Sequence, residues 1–183
     1  LAGPFSQKMQ KFMQNPYMHA LQVCFTIILP MIMVGSLASL VNTFRNFAPW
    51  LPDLSLINSF SFGLISIFMA FLIPYTIMES KKLQKQKMIT GFASVSALIA
   101  LANPQYVDGN LVINSGYVGT GGMTVAMVMG LVIGWLFSAY FKHGLFKKDS
   151  SLPSVVVVWF ESILIIFVLI LVCIIIGQNV DLP

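Results

Sequence analysis

Residues 88–103 read MITGFASVSALIALAN, and the number of membrane crossings in the chain turns on them. The stretch is apolar but short, and Gly91, Ala93, Ser94, Ser96, Ala97, Ala100 and Ala102 make it rich in small side chains. Small residues let helix backbones approach closely where lipid supplies no hydrophobic drive, so the stretch is expected inside a helix bundle. Four longer apolar stretches surround it, near 18–44, 55–78, 119–141 and 154–177. Each suits the roughly 20 residues of helix that a hydrocarbon core about 30 Å thick requires. Hydrophobicity continues around each helix rather than along one stripe, as in bilayer or buried helices.

Composition points the same way. Of 183 residues, 57% are hydrophobic and 9% charged, and the mean hydropathy is +0.87. A water-soluble domain carries about 25% charged residues, so this chain cannot cover a soluble surface, and it is too hydrophobic for intrinsic disorder. Cys24 and Cys173 lie in apolar runs without a CxxC or a Cys/His neighbour. They read as small core or lipid-facing residues, with no disulfide framework, metal site or cofactor implied.

The net charge of +4 has an ordinary use in a membrane, so no nucleic-acid partner is expected. Lys8 and Lys11 precede the first stretch, Lys81, Lys82, Lys85 and Lys87 join the second to the third, and Lys142, Lys147 and Lys148 join the fourth to the fifth. The opposite connections hold Arg45 with Asp53, Asp108 and Asp181. The positive-inside rule then puts the N-terminus in the cytoplasm and, after five crossings, the C-terminus outside. If residues 88–103 did not cross, the later lysines would fall on the wrong face.

Ahead of the first stretch, Phe5, Met9, Phe12 and Met13 recur at helical spacing while Gln7, Lys8, Gln10, Lys11 and Gln14 fill the other face. This pattern predicts an interfacial amphipathic helix over 1–15, ended by Asn15-Pro16, and not a cleavable signal peptide. Between the third and fourth stretches, Asp108-Gly109 flanked by Tyr106-Val107 and Leu111-Val112-Ile113 signals a short outer hairpin. Gly119, Gly121 and Gly122 then lead into the fourth stretch, where close packing or a bend accounts for them better than phosphate binding.

Few residues could carry chemistry. Glu161 lies about two turns into the fifth stretch, too deep for a short side chain to reach the interface. It is the candidate intramembrane polar contact, expected to face protein at a subunit or domain contact of the fifth stretch as a hydrogen-bonding or protonated group, with a sugar-hydroxyl acceptor and a proton relay as the other readings. His19 and Gln22 read as interfacial. No nucleophile elbow, HExxH or paired carboxylate is present, so catalysis by this chain alone is not expected.

Several segments resemble the membrane permease, enzyme IIC, of the phosphotransferase sugar system, lactose/cellobiose/chitobiose branch. They are NPYMHALQVCFTIILPMIMVGSLASLV with Pro30 and Gly35-Ser36, preceded by Gly3-Pro4, then GFASVSALIALANPQ, GYVGTGGMTVAMVMGLVIGWLFSAYF and LFKKDSSLPSVVVVWFESILIIFVLI. The chain departs from the family where Leu21-Gln22-Val23-Cys24 replaces early helix-1 charges and where Leu152-Pro153-Ser154 replaces a Pro-Pro pair. The resemblance implies an all-α polytopic protein of the bacterial cytoplasmic membrane. Residues 16–183 would be a five-helix domain like the N-terminal scaffold and dimerising half of a ten-helix disaccharide permease. Partners implied are lipid, a second copy or larger complex, a second permease half and IIA/IIB proteins. The sugar-holding carboxylate and histidine of the family belong to its second half, so no sugar-binding residue is carried over. The alternative is a stand-alone truncated homologue, acting as a binding or regulatory subunit of another membrane complex.

Overall fold

The computed structural model describes residues 14–143 and 154–179, so the helix expected over 1–15 and the lysines at 147 and 148 lie almost wholly outside the described residues. Helix α1 spans Pro16–Arg45. It starts where it does because the Asn15 side chain accepts from the Tyr17 amide at 3.1 Å, with Pro16 in the first turn, where its missing N–H is not needed. Pro30 lies within α1 and leaves the Thr26 carbonyl without its helical donor.

The second stretch is one span in three pieces: α2 (Ser55–Ser61), a 3-10 turn at Phe62–Leu64 centred on Gly63, and α3 (Ile65–Ser80). The third is α4, Lys87–Leu101. The hairpin follows as β1 (Gln105–Val107) and β2 (Asn110–Val112), antiparallel with Val107 opposite Asn110. Asp108 and Gly109 both take positive φ, 51° and 79°, the twist that matches a two-residue hairpin loop. A short helix α5 (Ser115–Val118) and a 3-10 turn (Thr120–Gly122) lead into α6 (Met123–His143), and α7 spans Ser154–Asn179.

Four of these helical stretches are long and apolar enough to cross a membrane: Pro16–Arg45, Ser55–Ser80, Thr120–Lys142 and Trp159–Asn179. The fifth, α4, has 15 residues and spans about 22 Å, short of the hydrocarbon thickness. As its composition predicts, α4 sits within the bundle, packed against α3, α6 and α7, with Thr90, Gly91, Ala93, Ser94, Ala97, Leu98 and Ala100 buried.

Glycine contacts define how the helices run. Gly35 of α1 lies against Ser61 and Phe62, while Tyr17 at the start of α1 reaches Lys81 at the end of α3, so the two are antiparallel. Gly91 of α4 lies under the Phe71 ring and Lys87 pairs with Glu79, which makes α4 antiparallel to α3. On α6, Gly130 meets Ile73 and Pro74, Gly134 meets Ile77, and Ser138 meets Lys81, so α3 and α6 are parallel. Gly177 at the end of α7 faces the Ala100 and Leu101 carbonyls at the end of α4.

The described lysines Lys81, Lys82, Lys85, Lys87 and Lys142 consequently gather at one end of the bundle, with Glu79. Arg45, Asp53, Asp108 and the hairpin lie at the other. There Asp53 pairs with Arg45 at 2.8 Å, and hydrogen bonds from Ser55, then Arg45, hold its carboxyl below the usual carboxylate range.

The α3/α6 seam has no room for side chains on α6. A Cβ at Gly134 would lie 2.5 Å from Ile77 Cδ1 and 3.2 Å from its Cβ, whereas one at Gly63 would meet nothing nearer than 3.9 Å. Gly134→Val is expected to cost about 1–3 kcal/mol by overpacking. Its thermal midpoint in detergent should drop by about 2–4 °C per kcal/mol, while Gly63→Ala stays near the parent. Equal midpoints for both variants would show that the seam is not closely packed.

Candidate functional site

Hydroxyl groups in a bilayer must find acceptors, and here most find them on their own helix. Thr26, Ser36, Thr43, Ser59, Ser61, Thr76 and Thr90 each donate to the carbonyl four residues earlier, at 2.7–3.0 Å. Such groups need no ligand and no neighbour. The polar side chains that do cross between elements mark three places.

At the lysine end, the Lys81 ammonium donates to Tyr17 Oη and to Ser138 Oγ, each at 2.7 Å, and lies 4.6 Å from the Tyr17 ring centroid. One half-buried cation thus ties the start of α1, the end of α3 and the last turns of α6. Beside it, Lys87 donates to Glu79 at 2.8 Å and lies 4.8 Å from the Tyr75 ring centroid.

Within the bundle, Glu161 is 7% exposed and Ser162 3%. Tyr140 of α6 donates its hydroxyl to the Glu161 backbone carbonyl at 3.3 Å. The buried side of α7 continues through Ile165, Cys173 and Gly177, while Phe160, Ile163, Leu164, Phe167 and Val168 face outward. His19 and Gln22 are exposed near the start of α1.

At the hairpin end, Ser66 donates to the Gly119 carbonyl at 2.5 Å, fixing the glycine-rich turn to the start of α3. A Cβ at Gly122 would collide with the Tyr117 carbonyl, so this turn needs glycine for close packing. Beside it opens a cavity of about 650 Å³ lined by Asn58, Ser59, Phe62, Gly116, Thr120 and Gly121 among others. Thr120, in the turn before α6, and Tyr140, near its end, stand about 30 Å apart along the helix axis, so this cavity and Glu161 do not form one site. Among the described residues no group of His, Cys, Asp and Glu could hold a metal ion.

The phosphotransferase system EIIC family model matches residues 23–181, which takes in every helix from the second turn of α1 to the end of α7. The chain belongs to this family. Neither the curated proteins nor the solved structures hold a match to it. An EIIC domain is the membrane permease of the sugar phosphotransferase system, and the transport role, the multi-pass membrane placement and the association with IIA and IIB proteins follow from membership. The domain transports and is not itself the catalyst of phosphoryl transfer.

Two features escape a residue-by-residue reading of the sequence. Lys81 counts there only as one inside charge, because nothing local joins it to Tyr17 or Ser138, 64 and 57 residues away. The second is the α3-facing pair Gly130 and Gly134, which was not singled out although its G-x-x-x-G spacing in an apolar run is a signal for close helix packing.

Removing one partner of the Lys81 node should expose how much of the α1–α3–α6 tie it carries. A double-mutant cycle of Lys81→Met and Tyr17→Phe, read by thermal unfolding in detergent, should give a coupling of about 0.5–3 kcal/mol. A coupling near zero would mean that the two side chains meet without holding the helices.

Proposed function

We propose that this chain is the membrane scaffold and dimerising part of a disaccharide permease of the lactose/cellobiose/chitobiose type. The family match over residues 23–181 carries the permease reading. The disaccharide branch is supported by the resemblances at Pro30 and Gly35-Ser36, in residues 91–105 and in residues 116–141.

The scaffold role is supported by the chemistry of the bundle. Most of its helix hydroxyls are bonded to their own backbone, and its cross-helix polar contacts tie helices together. A disaccharide leaving water needs many convergent donors and acceptors, and such a set is not seen among the described residues. In alternating access one bundle stays fixed while another rocks against it, and a rigid glycine-packed unit suits the fixed role. Glu161, buried between α7 and α6, belongs to that role as a contact inside the protein.

Five crossings are part of the same proposal. Parallel α3 and α6 begin at the same end of the bundle, and α4 runs the other way between them, which supports a third crossing by α4. Its short length is tolerable because its C-terminal end lies within protein, where Ala102 just beyond it is 4% exposed. The lysine end is then cytoplasmic by the positive-inside rule, with the N-terminus inside and the C-terminus outside. Trp135, Trp159 and Tyr140 near the lysine end and Trp50 and Tyr106 near the hairpin end fit two interfacial aromatic belts.

Three measurements test these statements. Single cysteines at Ser55 and Asn110 should react with an impermeant reagent added outside intact cells, and those at Gln84 and Lys147 should not; labelling at Gln84 overturns the topology. Detergent-resolved mass measurement should give particles of about twice the 20.2 kDa chain, and a monomeric mass removes the dimer. Inactivating the chain in its own cell should abolish phosphorylation-coupled uptake of cellobiose, lactose or chitobiose. Unchanged uptake of all three rejects the disaccharide reading.

A further inference from the structure

We propose that the hairpin-end half of α1 and all of α2 form one lid, which tilts about Pro30 and Gly63 to close the cavity between α2 and the glycine-rich turn. This concerns motion within the chain and does not rest on which sugar it carries. Each arm of the lid has a weak point. At Phe62–Leu64 the second span passes from α to 3-10 winding, with Leu64 at φ −119° and ψ 7°, and a 3-10 stretch inside a longer helix often marks a hinge. A Cβ at Gly63 would meet nothing nearer than 3.9 Å, so no neighbour wedges the break. In α1, Pro30 deprives the Thr26 carbonyl of its helical donor, the usual origin of a kink. Tyr17 meets Lys81 and Gly35 meets Phe62, which sets Pro30 about one turn nearer the lysine end than the break.

Beyond these points the two arms are joined to each other. Arg45 donates to Asp53 at 2.8 Å, the Leu54 amide donates to Asn42 Oδ1 at 2.9 Å, and Gly35 seats Ser61 and the Phe62 ring. A tilt therefore carries both. The facing wall belongs to the fixed part of the bundle, because Ser66 holds the Gly119 carbonyl to α3 and α3 is packed on α6 through Gly130 and Gly134.

An unmet acceptor favours closure. Asn58 of α2 is among the residues lining the cavity of about 650 Å³, and its Oδ1 is buried without a partner among the described residues. A buried acceptor with no donor bears the cost of its lost hydration. On the opposite wall stand Ile113, Gly116, Val118, Gly119, Thr120 and Gly121, of which Thr120 alone has a side chain that donates. Closing the lid removes the void and brings the Thr120 hydroxyl to the Asn58 amide. A cavity that only awaits a ligand accounts for the void, but not for a break in each helix beside it or for an unmet acceptor on the arm that moves.

Pulsed electron spin resonance on the full chain in lipid vesicles tests the lid. Cys24 and Cys173 are replaced by alanine, and nitroxides are placed at Leu56→Cys on α2 and Val128→Cys on α6, both exposed and outside the cavity. Two distances are expected for this pair, and one for Leu40→Cys with Leu56→Cys, which lie within the lid. Asn58→Ala and Thr120→Val should each deplete the same one of the two populations by about fivefold, the factor of one hydrogen bond, and the double variant should deplete it no further. Pro30→Ala, which restores a donor to the Thr26 carbonyl, should leave a single distance. Thr120 is exposed, so Thr120→Val reads the same bond if Asn58→Ala fails to fold. A single distance in the parent, a ratio that either folded variant leaves unchanged, or two distances persisting in Pro30→Ala overturns the lid. Failure here leaves the transport reading standing, since sugar uptake tests that separately.

Discussion

The packing of α6 on α3 through Gly130 and Gly134 constrains the other helices. Lipid tails are as apolar as leucine, so helices in a bilayer gain little from hiding apolar surface and much from close approach. The absence of side chains at these two positions lets Ile73, Pro74 and Ile77 reach the α6 backbone. Pro74 has no amide hydrogen to bond the Ala70 carbonyl, and its place in the closest-packed seam leaves that weakened turn enclosed by α6. Because the two helices run parallel, the chain between them must return to its starting end. That requirement gives α4 its direction and seats it against both α3 and α6, with α7 closing the far side.

A second constraint is the cost of unsatisfied polar groups away from water. Back-bonded serines and threonines meet it locally and leave the helix surfaces free to pack. Two cross-element bonds, from Ser66 to the Gly119 carbonyl and from Lys81 to Ser138, whose own hydroxyl donates to the Trp135 carbonyl, fasten the two ends of the α3/α6 pair. The pair is thus clamped at both termini by polar contacts and closely packed in between. Two buried atoms, Asn58 Oδ1 and Ser94 Oγ, find no partner among the described residues. Asn58 is one of the residues that line the hairpin-end cavity, and Ser94 lies in α4 at the centre of the bundle.

Much of this was legible from residue order. The five apolar stretches match the helices within a few residues, and the Asp108-Gly109 turn appears with both residues at positive φ. The small-residue composition of 88–103 foretold an interior helix because size alone decides which helix can be surrounded. What escaped is long-range. Whether α3 and α6 run parallel depends on which end each begins at, and that is a property of the whole chain and not of either segment. The tie from Lys81 to Tyr17 spans 64 residues and has no local pattern. The break at Phe62–Leu64 within the second span was likewise hidden, since an apolar run with one glycine reads as continuous helix until Gly35 of α1 brings the Phe62 ring against it.

The lysine end shows how one set of residues can satisfy two demands. The positive-inside rule asks only that lysines gather in the connecting loops of one side, and any position there would serve. Lys81 is instead placed where its stem lies among three helix ends and its ammonium finds two hydroxyls, so it also fastens the bundle. Lys87 does the same for α3 and α4 through Glu79 and Tyr75. Lys82 takes a positive φ of 62°, in the turn that reverses the chain, and is exposed. The tightness of that turn keeps α3 and α4 adjacent, and the Gly91–Phe71 contact sets how close they come. Lysines that the positive-inside rule reads only as loop charges are thereby part of the folded contact set.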